Sequence, residues 1–191
     1  MNALLGIFSA FGLSASAGLN AYIPLLAVAL LGRYTTWINL EAPWDTLTNP
    51  WIIGLLAFLS VIEFFADKAP IANHANDAIQ TFVRPVAGAI AFAATTNVVT
   101  DIHPAVALAA GLLIAGTVHV AKAGALRPAV TATTGGLGNT AVSVLEDIVS
   151  TALSIISIVI PILVGVILVP LAAWVAWVIW RRANQTEAQA Q

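Results

Sequence analysis

Residues 142–180 read VSVLEDIVSTALSIISIVIPILVGVILVPLAAWVAWVIW, a stretch in which Glu146 and Asp147 are the only charged side chains. The apolar positions run on continuously, without the apolar–polar alternation of a membrane barrel strand. In lipid, every backbone N–H and C=O must be bonded within the protein, so a run of this kind is helical. At about 1.5 Å per residue it is too long for one crossing. Pro161 and Pro170 interrupt it, so it is either one long kinked helix or a two-helix hairpin split near Pro161.

The rest of the chain has the same character. Of 191 residues, 60% are hydrophobic and only 8% charged, with seven Lys and Arg against nine Asp and Glu, and the mean hydropathy is +0.94. Soluble domains carry about 25% charged residues, so most of this surface must face lipid. A net charge of −2 speaks against a nucleic-acid partner. The absence of Cys excludes disulfides, thiolate metal sites and cysteine nucleophiles. Leu4 to Phe11 followed by Ala15-Ser16-Ala17 imitates a signal peptide, but the basic n-region is missing and the chain turns apolar again from Tyr22. The expected fold is therefore an all-α integral membrane protein, a polytopic helical bundle. One transmembrane domain, residues 1–182, would hold five to seven membrane segments, followed by a polar C-terminal tail at 183–191.

Several interruptions bear on function. The first apolar run, Ala3 to Gly32, contains Ser14-Ala15-Ser16-Ala17-Gly18-Leu19-Asn20 and then Pro24, which predicts a broken or re-entrant helix near Asn20. Trp37, Trp44 and Trp51 place the following loop at an interface. A second apolar run from Trp51 ends in Glu63-Phe-Phe-Ala-Asp67-Lys68. Ala69 to Phe82 is polar and amphipathic, and Arg84-Pro85 opens a third run. Asp101-Ile-His103-Pro104 is too short to do more than join antiparallel neighbours. The fourth run ends in His119-Val-Ala-Lys122, followed by Arg127-Pro128 and a loop rich in threonine and glycine, Thr131 to Asn139. The two polar segments echo each other (acid or His, then Lys, then Arg-Pro and small residues), which suggests a weak internal repeat of the kind transporters carry. Positive charge accumulates on the cytoplasmic side of inner-membrane proteins. Placing Lys68, Arg84, Lys122, Arg127, Arg181 and Arg182 all on that side favours the hairpin for the final block.

Charge within apolar helices is costly and generally functional. Glu63 and Asp67 share a helix face at i, i+4 and suit proton or cation handling. His119, Lys122 and Arg127 make an electropositive corner. Thr133, Thr134 and Asn139, with the intervening glycines, offer hydroxyls and positive-φ backbone for an anion or lipid headgroup, although Asn139 also suits a plain helix cap. Glu146 and Asp147 are placed either to complement a helix dipole or to pair with Arg84, Lys122 or Arg127. Lys68, Asp77, Asp101, Glu41 and Asp45 read more simply as interfacial groups reaching water. Together with Asn20 at the break, Glu63, Asp67, Lys68, Arg84, His119, Lys122, Arg127, Thr133, Thr134, Asn139, Glu146 and Asp147 are the candidate substrate or ion ligands. No catalytic motif and no metal spacing among the histidines is present, so neither an enzyme, a cofactor nor a metal is expected.

The segments Gly18-Leu-Asn-Ala-Tyr-Ile-Pro-Leu-Leu, Glu63-Phe-Phe-Ala-Asp67-Lys68-Ala-Pro, Gln80-Thr-Phe-Val-Arg84-Pro85-Val-Ala-Gly-Ala and Thr131-Ala-Thr-Thr-Gly-Gly-Leu-Gly-Asn139 resemble a family of small bacterial multipass membrane proteins grouped as a domain of unknown function. The resemblance runs from about Gly12 to Trp180. It implies a helical protein of the inner membrane and supplies no activity. The functional expectation is a transporter or channel for a small solute or ion. The alternatives are an accessory or scaffold subunit and a protein that binds lipid headgroups. The expected partners are the bilayer, the solute or ion, and either further copies of the chain or a larger membrane complex.

Overall fold

A computed structural model of the chain describes residues 3–68, 70–96 and 102–167 and positions 170, 174, 177 and 181. Seven α-helices follow in order: α1 Ala3–Leu19, α2 Tyr22–Tyr34, α3 Pro50–Ala66, α4 Pro70–Thr96, α5 Pro104–Ala121, α6 Arg127–Thr134 and α7 Gly138–Val159. A 3₁₀ turn, Trp44–Thr48, precedes α3, and a π turn, Lys122–Leu126, joins α5 to α6. The segments Ala78–Thr96, Pro104–Thr134 and Gly138–Val159 are long and apolar enough to cross a membrane, whereas α1, α2 and α3 are shorter apolar helices. Polarity is inverted relative to a soluble protein. Trp51, Phe58, Phe65, Leu113, Val120, Leu145 and Ile148 are exposed, while Arg84, Glu63, Asp67 and Lys122 are buried. Such an apolar exterior is a lipid-facing surface, and the fold is an all-α membrane bundle.

The first break falls at Asn20-Ala21 and reverses the chain. Ser16 of α1 reaches Ser150 and Ser154 and Asn20 reaches Asp147, so α1 runs antiparallel to α7. Ala21 meets Glu63 and Arg33 meets Thr48, so α2 runs antiparallel to α3. The α1–α2 pair is thus a hairpin with its tip at the lower end of α3. We call the other end, which carries Trp37 and Trp51, the tryptophan end. The second break follows α6. Gly135 and Gly136 have φ of 63° and 91°, left-handed values that glycine adopts at helix C-termini.

Gly18 is not part of the break itself. It lies within α1, where an added Cβ would sit 2.6 Å from the Ala115 carbonyl oxygen. Gly88 and Gly111 allow the same close approach between α4 and α5, since a Cβ at Gly111 would lie 2.4 Å from the Gly88 carbonyl oxygen. The Ser14 hydroxyl bridges the carbonyls of Gly88 and Gly111, 2.9 Å from each. Small residues at such crossings replace the missing hydrophobic drive between membrane helices with close packing. Gly111→Val should therefore force α4 and α5 apart and destabilise the protein by about 1–3 kcal/mol, the usual cost of overpacking. A clear drop in melting temperature of the purified variant is the expected result, and an unchanged value would contradict this packing.

Two expectations need correction. Arg84-Pro85 does not open a helix, because α4 is continuous through Pro85 from Pro70. Proline removes one helical donor, but the rest of the ladder carries a helix of this length past it. Asn139 is not the cap of α7, which starts at Gly138 and has no side-chain cap hydrogen bond. The final block does break at Ile160 (φ −136°, ψ 63°). Beyond it, Val164 and Gly165 lie against Gly12 and Phe8 of α1. The full course of 161–182, on which the hairpin reading depends, lies outside the described residues, as does Asp101.

Candidate functional site

The last turn of α3, the middle of α4, the π turn after α5 and the third turn of α7 all arrive at the α1–α2 tip, and each brings ionisable groups. Arg84, fully buried, donates through Nε and Nη2 to Glu63 Oε1 (3.3 and 2.9 Å) and through Nη2 to Asp67 Oδ2 (3.2 Å). Lys122 Nζ lies 2.7 Å from Glu146 Oε2 and 3.7 Å from Asp67 Oδ2. Arg127 Nη2 reaches Asp67 Oδ2 at 3.3 Å and Glu146 Oε2 at 3.4 Å. Lys68 Nζ binds Asp147 Oδ2 at 2.7 Å and lies over the Phe64 ring. Among the described residues, four of the seven Lys and Arg and four of the nine Asp and Glu thus form one balanced network.

Local backbone geometry explains why the cations converge. In an α-helix, residues five apart point in different directions. The π turn, closed by the Arg127 N–H to the Lys122 carbonyl, has a wider i→i+5 repeat that aims Lys122 and Arg127 at the same acids. His119 is not a fifth cation. Its Nδ1 faces Arg84 Nη1 at 3.3 Å, and a guanidinium only donates. Nδ1 must therefore accept, which leaves Nε2–H directed at the Thr81 hydroxyl 3.2 Å away.

The network also closes the helix break. Lys122 Nζ donates to the Leu19 carbonyl at 2.9 Å, and Glu63 Oε2 accepts from the Ala21 N–H at 3.1 Å. Asn20 Oδ1 accepts the N–H groups of Tyr22 and Ile23, both at 3.1 Å, while its Nδ2 donates to Asp147 Oδ1 at 2.9 Å. The backbone groups that two helix ends leave unpaired are thus held by side chains of α3, the π turn and Asn20 itself. Acids and bases are segregated. Among the described residues, every acid of the network lies on α3, its Asp67 cap or α7, and Arg84, Lys122 and Arg127 lie on α4, the π turn and α6.

The structure unites Asn20, Glu63, Asp67, Lys68, Arg84, His119, Lys122, Arg127, Glu146 and Asp147. Lys68, which read as an interfacial group, belongs to the network, because its stem folds back one turn to Phe64 and Asp147. Glu41 and Asp45 are exposed in the loop before α3. Thr133, Thr134 and Asn139 do not join the network. The two threonine hydroxyls donate to carbonyls of their own helix, and Asn139 Nδ2 donates to Thr131. The glycine loop has its positive φ for ending α6, with open space around Gly135 and Gly136.

Sequence reasoning missed a set of polar partners. Asn76 Nδ2 donates to Asp67 Oδ1, and Ser16 Oγ lies 2.7 Å from both Ser150 Oγ and Ser154 Oγ. The detectable signal was spacing, since Ser143, Asp147, Ser150, Ser154 and Ser157 recur on one helical face of α7. An open cleft of about 480 Å³ between α2, α3 and α7 reaches the network at Asp147, with Ile23, Phe64, Val144, Ile148 and Thr151 among its walls.

A family model described as Domain of unknown function (DUF4126) matches residues 7–181. No curated protein and no solved structure matches the chain.

Proposed function

The chain belongs to the family of that domain of unknown function, whose description carries no activity, and we propose that it is a non-catalytic, multi-pass inner-membrane protein that moves a small ion or solute through the charge network. One observation carries this reading: a balanced set of buried ions holds the broken ends of α1 and α2. Broken helices with charged or polar partners at their exposed ends are how membrane transporters build binding sites.

Helix lengths support a site at depth. Glu63 lies about 18 Å below Trp51 along α3, and Glu146 about 12 Å above the start of α7, at 1.5 Å per residue. The α1–α2 pair is then a re-entrant hairpin dipping from the tryptophan end, and the Lys- and Arg-bearing end faces the cytoplasm. Entry to the network runs from the cleft at Asp147, past the Lys68–Asp147 pair, whose side chains are 14% and 11% exposed. That pair is the outermost of the ion pairs and the natural point of opening.

The test is charge movement on solid-supported membranes bearing the reconstituted protein, with concentration jumps of protons, sodium, potassium, chloride, phosphate and acetate. A transient current for at least one of these is expected, altered several-fold in Lys68→Gln, whose partly exposed position spares the fold. A second reading has its own support, since every acid of the network already faces a cation. Silence towards all six ions, together with an intact, well-melting protein, would assign the network to holding helices together in an accessory or scaffold subunit, alone or as a homo-oligomer.

A further inference from the structure

We infer that Arg84, Lys122 and Arg127 form an oxyanion-binding cradle in which the Asp67 carboxylate is an exchangeable occupant. On this basis, the ligand of the proposed transport site is a small oxyanion, a phosphate or a carboxylate. The inference rests on the transport reading for its biological role and on the cradle alone for binding.

One carboxylate oxygen, Asp67 Oδ2, is surrounded by three cations from three separate elements, at 3.2 Å from Arg84, 3.3 Å from Arg127 and 3.7 Å from Lys122. Strong charge-assisted N–H···O⁻ contacts close to about 2.7–2.9 Å. Arg84–Glu63 and Lys122–Glu146 reach 2.9 and 2.7 Å, so these cations can close on an acid when the acid fits. Around Asp67 none of the three does. The space between them is larger than one carboxylate oxygen fills, and an anion presenting several oxygens would meet all three at once. Two guanidinium groups and an ammonium are the donor set that recognises planar carboxylates and phosphates.

The occupant sits at the end of a helix that packs sparsely on the element bearing Arg84. Asp67 caps α3, which packs sparsely on α4, whereas α4 and α5 pack closely along their length. While Glu63 keeps its hold on Arg84, withdrawal of the Asp67 carboxylate alone, on the Asn76 side, would vacate the place. Its other oxygen is already bonded to Asn76, a donor outside the cradle. Replacing one carboxylate by another anion keeps the network electroneutral, which a cation taken into the same place would not do.

The experiment is a melting titration of purified full-length protein in uncharged detergent with inorganic phosphate or acetate, against chloride at matched ionic strength. Phosphate should raise the melting temperature of the unaltered protein in a saturable way, as a ligand of the folded state does. Asp67→Asn, which vacates the charge and keeps the size, should bind phosphate at least tenfold more tightly. No phosphate effect on the unaltered protein overturns the inference, even if Asp67→Asn binds, because the carboxylate is then a fixed strut. Stabilisation by short-chain phosphatidic acid but not by inorganic phosphate also overturns it, in favour of a lipid headgroup. Oxyanion binding without any charge movement would retain the cradle and remove the transport reading. Cation-driven currents without oxyanion binding would do the reverse.

Discussion

Arg84→Ala is expected to lower the unfolding free energy by about 3–5 kcal/mol, the cost of stranding a buried charge by removing its partner. Arg84 is fully buried and is the sole cation with which Glu63 forms a salt bridge among the described residues. The control is Arg33→Ala. Arg33 makes an exposed hydrogen bond to the Thr48 carbonyl, and surface substitutions of that kind stay within about 0.5 kcal/mol. Denaturation of both purified variants measures the difference. The double variant Arg84→Met with Glu63→Gln should recover at least half of the loss, because it removes both charges and keeps an acceptor for the Ala21 N–H. Equal melting of Arg84→Ala and Arg33→Ala would mean that the network does not form.

The second large effect is expected at Lys122. Its ammonium holds Glu146 at 2.7 Å and the Leu19 carbonyl at 2.9 Å, so Lys122→Met leaves Glu146 the longer Arg127 contact of 3.4 Å and uncaps α1 together. A loss of about 3 kcal/mol, the lower end of the range for a broken buried pair, is expected. Glu146→Gln added to Lys122→Met should restore a substantial part, leaving chiefly the uncapped carbonyl, worth about 1 kcal/mol. Additive damage in the double variant would show that Lys122 and Glu146 do not act on each other.

Much of this site was legible in the sequence because one physical rule governs it. A charge that must enter lipid needs a partner, so Glu146 and Asp147 pointed to Arg84, Lys122 or Arg127, which holds for Glu146, whereas Asp147 pairs with Lys68. The Asn20 break was legible from the polar and small residues that interrupt an apolar run. The rule misjudged Lys68, since a lysine just past a helix end is equally able to reach water or fold back, and only the position of Asp147 decides. The loop from Thr131 to Asn139 misled for a different reason. Positive-φ glycines serve helix ends and anion nests alike, and the sequence does not say which backbone groups remain unpaired. The π turn was hidden altogether, because a five-residue hydrogen-bond register leaves no compositional mark, and the continuity of α4 through Pro85 was hidden for a similar reason.

The segregation of acids from bases has an electrical consequence. Glu63, Asp67, Glu146 and Asp147 against Lys68 put a formal charge of −3 on the α3 and α7 side of the network, and Arg84, Lys122 and Arg127 put +3 on the α4 to α6 side, where Asp77 of α4 lowers the total for those helices to +2. As a whole the network is neutral, and a transmembrane voltage does no work on it if it moves together. A slide of the acidic helices past the basic ones is different, since it carries about three charges along the field. For one helical turn, about 5.4 Å of a hydrocarbon core near 30 Å, the work is about 1 kcal/mol per 100 mV. A voltage of that size would bias such a slide by several-fold, in a direction set by which helices carry the carboxylates.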